Sequence, residues 1–290
     1  MKKINAVTLL TFSIAVMAAS ATVSSIFFSE GPGPYEFLSI RGQTVMIYGK
    51  GIYRHMSAEV APQGIAQDYV TLFIALPLLL VSLFKSWRGS LAYRVLHTGC
   101  LAYFLVTYLF YLMMAMYNGL FLVYAALLGS SFFAFIISLN AMDRPLTNRF
   151  ESYPYRKFTG GFLMFNALAI ALLWMGIVVP PLMDGTLIPM ETRHYTTLVV
   201  QGLDLAILLP SAFVLGWLFW KKQKTGDLLT PVYYVFLSIL LTALMAKIIA
   251  MGLLGYSIFP VVFIIPVFLT LTLVNTGLIL KQLVTKSRGS

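Results

Sequence analysis

The chain has 290 residues, of which 59% are hydrophobic and only 10% charged, with a net charge of +10. A soluble globular domain carries about 25% charged residues, so this chain cannot cover itself in polar surface and most of its exterior must face lipid. A positive balance of this size suits a nucleic-acid binder, but the basic residues fall between apolar runs, where they set membrane orientation instead; no nucleic-acid partner is expected.

Eight apolar runs are long enough to span a bilayer, which takes about 20 residues: 5–28, 67–85, 92–115, 118–140, 159–181, 197–220, 229–253 and 257–281. They predict an all-α fold, a polytopic transmembrane bundle of about eight spans forming one domain over 1–290. The first run resembles a signal peptide, with Met1-Lys2-Lys3 before it and small residues near Ala18–Ala21. It continues to Phe28, which is long for a signal, and reads as a retained first helix.

Between the first two runs lies the long outer loop, 29–66. Gly31-Pro32-Gly33-Pro34 terminates the helix. Phe37-Leu38-Ser39-Ile40, a turn at Arg41-Gly42 and Thr44-Val45-Met46-Ile47-Tyr48 then predict a short β-hairpin, ended by Gly49-Lys50-Gly51. Two strands alone are marginal in water, so the hairpin is expected to lie on the bundle as a cap. Tight turns at Tyr117-Asn118 and Gly255-Tyr256 predict antiparallel helix pairs, and 182–196 forms the second outer element. Pro77, Pro210, Pro231, Pro260 and Pro266 predict kinks in helices two, six, seven and eight. No convincing internal repeat is seen.

Basic residues orient the bundle. With the N-terminus inside, the cytoplasmic segments carry Lys2, Lys3, Lys85, Arg88, Arg94, Arg144, Arg149, Arg156, Lys157, Lys221, Lys222, Lys224, Lys281, Lys286 and Arg288. The outer segments carry only Arg41, Lys50, Arg54 and Arg193. The expected topology has both termini in the cytoplasm, in a bacterial cytoplasmic membrane.

Ionisable residues inside a span are costly and mark functional positions. Asp204 and Lys247 each lie roughly 10 Å below the outer surface, at a rise of about 1.5 Å per residue. Equal depth on consecutive helices predicts an ion pair, holding either a substrate or proton, or only the helix packing. Lys247 snorkelling alone is a third reading. Gln201 stands one turn above Asp204. Gln67 and Asp68 open helix two from outside, and Tyr111, Tyr117, Asn118 and Tyr124 surround the turn between helices three and four. Together they predict an outward-open cavity. Interfacial tyrosines and an acidic residue at a helix N-terminus account for the same residues without one. Arg54 is a partner for Asp68, for an anionic ligand or lipid headgroup, or for water alone. His97, Asn166 and Asn275, in the inner half, read as interhelical hydrogen-bonding groups; a polar route from them to Asp204 would mark transport.

Several chemistries are excluded. The one cysteine, Cys100, rules out an intramolecular disulfide, a cysteine-based zinc site and an iron–sulfur cluster. His55, His97 and His194 are too few and scattered for bis-histidine haem ligation. No H-E-x-x-H, Walker A or G-x-G-x-x-G motif occurs, and Gly129-Ser130-Ser131 is not a hydrolase elbow. Gly202-Leu203-Asp204 lacks the pattern of intramembrane aspartyl proteases, and a lysine beside Asp204 opposes a shared proton. Lys247 as a Schiff-base lysine with Asp204 as counterion is chemically coherent, but the helix count and surroundings do not resemble a microbial rhodopsin. No metal, cofactor or catalytic residue is expected.

Gly51-Ile52-Tyr53-Arg54, then Gln67-Asp68-Tyr69-Val70-Thr71-Leu72 and Arg88-Gly89-Ser90, carry a resemblance. With Tyr117-Asn118, Phe121-Leu122-Val123-Tyr124 and Leu203-Asp204-Leu205 before Pro210, they resemble a pattern in uncharacterised bacterial multi-spanning integral membrane proteins. The resemblance covers roughly residues 40–250 and implies a membrane bundle without naming an activity.

The expected function is binding of a small solute or lipid from the outer side, as a transporter or sensor. Asp204 and Lys247 form the polar centre, and Gln201, Asp68, Asn118, Tyr111, Tyr124 and Arg54 are further binding residues. The alternatives are an intramembrane enzyme acting on a lipid or quinone and a structural or assembly subunit. Membrane lipid and a small-molecule ligand are the expected partners; oligomeric state is not indicated.

Overall fold

The computed structural model describes residues 2–142, 146 and 149–285, with the backbone alone at 2–5 and 285. Arg144, Lys286 and Arg288 of the orientation argument, and the side chains of Lys2 and Lys3, lie outside the described residues. Eight helices are long and apolar enough to cross a membrane. They are α1 (Lys2–Phe27), α2 (Ala61–Ser86), α3 (Leu91–Met114), α4 (Phe121–Asn140), α5 (Arg156–Val178), α6 (Val199–Trp220), α7 (Lys224–Leu253) and α8 (Val261–Thr285). Large apolar side chains such as Leu9, Phe73, Leu122, Phe165 and Leu172 point outward, a surface that water penalises and lipid accepts.

The chain enters α2 earlier than its apolar run implies. Pro62 sits in the first turn, where its fixed φ suits a helix start, and the helix begins at Ala61. Gln67 and Asp68 therefore lie inside the helix rather than opening it, and the preceding loop ends at Val60 instead of reaching 66. The loop holds the expected hairpin, β1 (Tyr35–Leu38) against β2 (Thr44–Ile47), antiparallel with Tyr35 opposite Ile47 and Leu38 opposite Thr44. Gly42 takes the left-handed turn conformation at φ 75°. The hairpin caps one end of the bundle. Arg41 donates to the carbonyls of Arg193 at 3.3 Å, Tyr195 at 2.8 Å and Thr196 at 3.3 Å, tying the hairpin to the second long connection, between α5 and α6.

The two halves of the chain repeat one another. Helix, cap segment and three helices (α1 to α4) are followed by helix, cap segment and three helices (α5 to α8). Both α2 and α6 carry a single π-helical turn, at Thr71–Ala75 and at Asp204–Leu208, each just before a proline, Pro77 and Pro210. The same spacing separates Gly89 from Lys222, which share a positive φ in the turns α2–α3 and α6–α7, and separates the first residues of α3 and α7, Leu91 and Lys224. Burial alternates in nearly the same order along 71–87 and 204–220. The contacts also correspond: α3 packs on α7, α2 on α7 and α3 on α6. Residue identities conceal the repeat, sharing little beyond Leu72-x-Ile74-x-Leu76-Pro77 with Leu205-x-Ile207-x-Leu209-Pro210 and a tryptophan followed by a basic residue.

The halves meet most closely where α3 crosses α7. A Cβ on Gly99 would lie 2.4 Å from Val235 Cβ and 2.9 Å from the Val232 carbonyl, so only glycine fits. Gly99→Val is expected to destabilise the detergent-purified protein by about 1–3 kcal/mol, the usual cost of overpacking. Gly129→Ala, which meets no atom within 4 Å, should melt like the parent; equal melting of both variants would contradict the close crossing.

Candidate functional site

Below the cap, between the halves, lies a cavity of about 420 Å³. α2 contributes Gln63, Gly64 and Gln67, and α3 contributes Phe110, Tyr111 and Met114. Asn166, Ile170, Leu173 and Trp174 of α5, Asp204 and Leu208 of α6, and Tyr233, Leu240, Leu244 and Lys247 of α7 complete most of the wall, with Val261, Ile264 and Ile265 of α8. Four pairs of repeat-equivalent residues face it: Gln67 with Val200, Tyr111 with Leu244, Met114 with Lys247 and Ala115 with Ile248. The site therefore belongs to the junction of the halves. A polar vestibule of about 410 Å³ adjoins it at the cap, sharing Glu59 and Ser257 with the cavity and bounded by Arg193. Glu59 and Arg193, one from each cap segment, form an ion pair there.

Asp204 begins the π-turn of α6, with its carbonyl accepting from the Leu209 N–H five residues on. Its Oδ2 accepts a hydrogen bond from the Trp174 indole at 2.8 Å. The ion pair expected between Asp204 and Lys247 is not formed among the described residues. The two groups face one cavity and sense each other's charge, but Lys247 has no hydrogen-bonding or ion-pair partner there. An ammonium against an aliphatic wall costs several kcal/mol unless water or a bound group answers it.

Asp68 is 2% exposed and lies behind the cavity wall. Tyr53 donates to its Oδ2 at 2.6 Å and Tyr111 to its Oδ1 at 2.9 Å, and the Ser25 hydroxyl of α1 also bonds to it. Burial, with Asp68 beside it, pushes the Tyr53 phenol well above its ordinary range, so it remains a protonated donor. Tyr108 and Tyr124 stack behind Tyr111 with ring centroids 5.9 Å apart. In the second half Leu241 and Leu244 stand where the first has Tyr108 and Tyr111, and the space beside them is open.

At the far end of the bundle a buried ion pair clamps α5 to α7. Arg156 of α5 pairs with Asp227 of α7 at 2.5 Å and also donates to the carbonyls of Phe219 at 2.7 Å and Phe150 at 2.5 Å. Between this clamp and the cavity, Thr159 donates to Asn275 at 2.8 Å, and Ser238 meets Thr276 at 2.8 Å. Asn166, on the cavity wall, has an amide nitrogen with no partner and is 4% exposed. His97 lies elsewhere, between Thr11 at 3.3 Å and Ser82 at 3.4 Å.

Of the residues singled out in the sequence, Asp204, Lys247, Tyr111, Gln67 and Asn166 line the cavity, and Asp68 and Tyr124 stand behind its wall. Gln201 does not line it. Asn118 builds the start of α4 instead, accepting from the Leu120 N–H at 2.9 Å and donating to the Met116 carbonyl at 3.1 Å. Arg54 is exposed and donates to His55 at 3.1 Å; its neighbour Tyr53 is the residue that reaches Asp68. Trp174 and Glu59 were missed, since each reads as an interfacial or loop residue. The pairing of Arg156 with Asp227 was missed because both flank turns, where charges are ordinarily solvated. Among the described residues no cluster of histidine, cysteine, aspartate or glutamate is placed to hold a metal ion. Comparison of the chain with protein-family models, curated proteins and solved structures finds no match.

Tyr53→Phe and Tyr111→Phe each remove a donor from a buried carboxyl group. Each is expected to lower stability by about 1–3 kcal/mol, read as a fall in melting temperature in detergent. Tyr117→Phe, at a 77% exposed position, should have no effect.

Proposed function

We propose that the protein is a carrier that takes up a small amphipathic solute or lipid from the outer side of a bacterial cytoplasmic membrane. The observation that carries this reading is the cavity between the repeated halves, where Asp204 and an unpaired Lys247 face the same largely aliphatic space. Paired structural repeats that flank a central polar site are the architecture of many secondary carriers. The vestibule above the cavity and the Arg156–Asp227 pair at the other end describe a form open toward the cap and clamped at the far end. Asn166, Asn275 and Thr159 extend polar groups inward from the cavity, which supports passage rather than binding alone.

The basic residues support the orientation. Lys85, Arg88, Arg94, Arg149, Lys157, Lys221, Lys222, Lys224 and Lys281 fall at or near the far end, against Arg41, Lys50, Arg54 and Arg193 at the cap, and positive charge favours the cytoplasmic side. An intramembrane enzyme acting on a lipid or quinone is the second reading, favoured by the same clamped far end. The cavity wall described here includes no histidine or cysteine.

Two measurements test the proposal. In intact cells an impermeant maleimide should label Gly42→Cys, whereas Lys222→Cys should react only after permeabilisation; Cys100 is buried and should stay silent. The reverse pattern would invert the carrier. In nanodiscs, brominated amphiphiles should quench Trp174, seen as the difference from a Trp174→Phe variant. Lys247→Met should weaken that quenching at least about tenfold, or about 1.4 kcal/mol. A Trp174 that no brominated probe reaches would sink the binding reading.

A further inference from the structure

The charges in the cavity point to the chemistry of its occupant, an inference that rests on the binding role proposed above. We infer that the ligand is a zwitterion with an aliphatic body, its ammonium facing Asp204 and its anionic oxygens facing Lys247. Arg156 and Asp227 show how the same protein makes a structural pair: contact at 2.5 Å, with the Phe219 and Phe150 carbonyls accepting further guanidinium hydrogen bonds. Asp204 and Lys247 are arranged differently. They lie on adjacent helices and border one space without forming an ion pair. Trp174 occupies one carboxylate oxygen of Asp204, and the other has no hydrogen-bond donor among the described residues. Lys247 lines the cavity and makes no hydrogen bond among the described residues.

A neutral ligand would leave both charges without a contact partner against an apolar wall, and a singly charged one would leave one of them so. Uncompensated charge is what such a setting tolerates least. An ammonium and an anionic oxygen separated by a few bonds would bridge the gap and keep the loaded site neutral. Ile170, Leu173, Leu208 and Ile264 would enclose the aliphatic remainder. Two sources supply this chemistry: a free aliphatic amino acid, and the ethanolamine headgroup of a phospholipid. Asn166 separates them. It stands about two turns deeper on α5 than Trp174, at 1.5 Å per residue, and its buried amide lacks an acceptor. An ester carbonyl in the body of a lipid would meet it, whereas an aliphatic amino-acid side chain offers nothing to it.

The test is equilibrium binding to the intact protein in nanodiscs free of ethanolamine lipids. The probes are leucine, 3-methylbutylamine, 4-methylpentanoate and 4-methylpentanol, with dihexanoyl phosphatidylethanolamine against dihexanoyl phosphatidylglycerol. The expected result is that leucine or the ethanolamine lipid binds at least tenfold tighter than its singly charged or neutral analogues. Lys247→Met should then reduce leucine to the affinity of the amine, and Asp204→Asn to that of the acid. These are ratios within one variant and do not depend on its folded fraction, and the parent protein alone already decides the charge preference. If Asn166→Leu weakens the ethanolamine lipid, the source is lipid; if leucine is preferred and unaffected by it, the source is the free amino acid. A singly charged or neutral probe binding as tightly as the zwitterion overturns the inference and leaves the carrier reading standing. Failure of every probe, the alcohol included, overturns both.

Discussion

Arg156 and Asp227 meet at 2.5 Å with almost no exposure to solvent, and their closeness states the constraint under which the rest of the molecule is built. In an apolar interior a charge cannot fall back on water, so it must be answered by the protein or by what the protein binds. Three answers occur in this chain. Arg156 and Asp227 answer each other's charge, and Arg156 also donates to the Phe219 and Phe150 carbonyls. Asp68 recruits the hydroxyls of Tyr53, Tyr111 and Ser25 from three separate segments. Lys247 is answered only at a distance, by the charges of Asp204 and Asp68, with no hydrogen bond or ion pair among the described residues, and it borders the cavity.

The repeat explains why the gap lies on one side. The first half fills its share of the junction with aromatic rings, Tyr103, Tyr108 and Tyr111 on α3, of which Tyr111 donates to Asp68 and Tyr103 bonds to Thr71. The equivalent positions on α7 are Phe236, Leu241 and Leu244. Leucines are shorter and carry no donor, so the second half neither closes the space nor neutralises its charges. A duplicated scaffold has thus been packed solid in one copy and left hollow in the other. The α1 helix belongs to the solid half, where Ser25 bonds to Asp68 and Thr11 approaches His97.

Much of this fold was legible because hydropathy and length decide where a helix forms in an apolar chain. All eight helices fall where the apolar runs place them, and Arg41-Gly42 between alternating segments located the hairpin turn. The start of α2 was hidden because Ala61-Pro62-Gln63-Gly64 is too polar to extend an apolar run, which left Asp68 at a helix end in the reading and in a helix interior in the structure. The repeat was hidden because lipid-facing positions accept any apolar residue, so two copies retain one shape with few shared identities. Within the site, the depth of Asp204 and Lys247 could be read from sequence position, and their common cavity followed. Whether they touch depends on side-chain direction across two helices, which spacing along the chain does not encode. Asn118 was misplaced for a simpler reason: asparagine before a helix often bonds its own backbone, and here it does.

The π-turns of α2 and α6 have a mechanical consequence. Each stretch closes its hydrogen bonds over five residues rather than four and is followed at once by a proline that donates none. Both helices are therefore least braced at equivalent positions, in α6 at the cavity wall and in α2 just beyond it, while the segments on either side are ordinary helix. A bar weakened at one point bends there, and two bars weakened at matching points bend together. Of the arms beyond these turns, the far arm of α6 is held by the clamp, through the Phe219 carbonyl, and the near arm of α2 by the cap, through Tyr53 on Asp68.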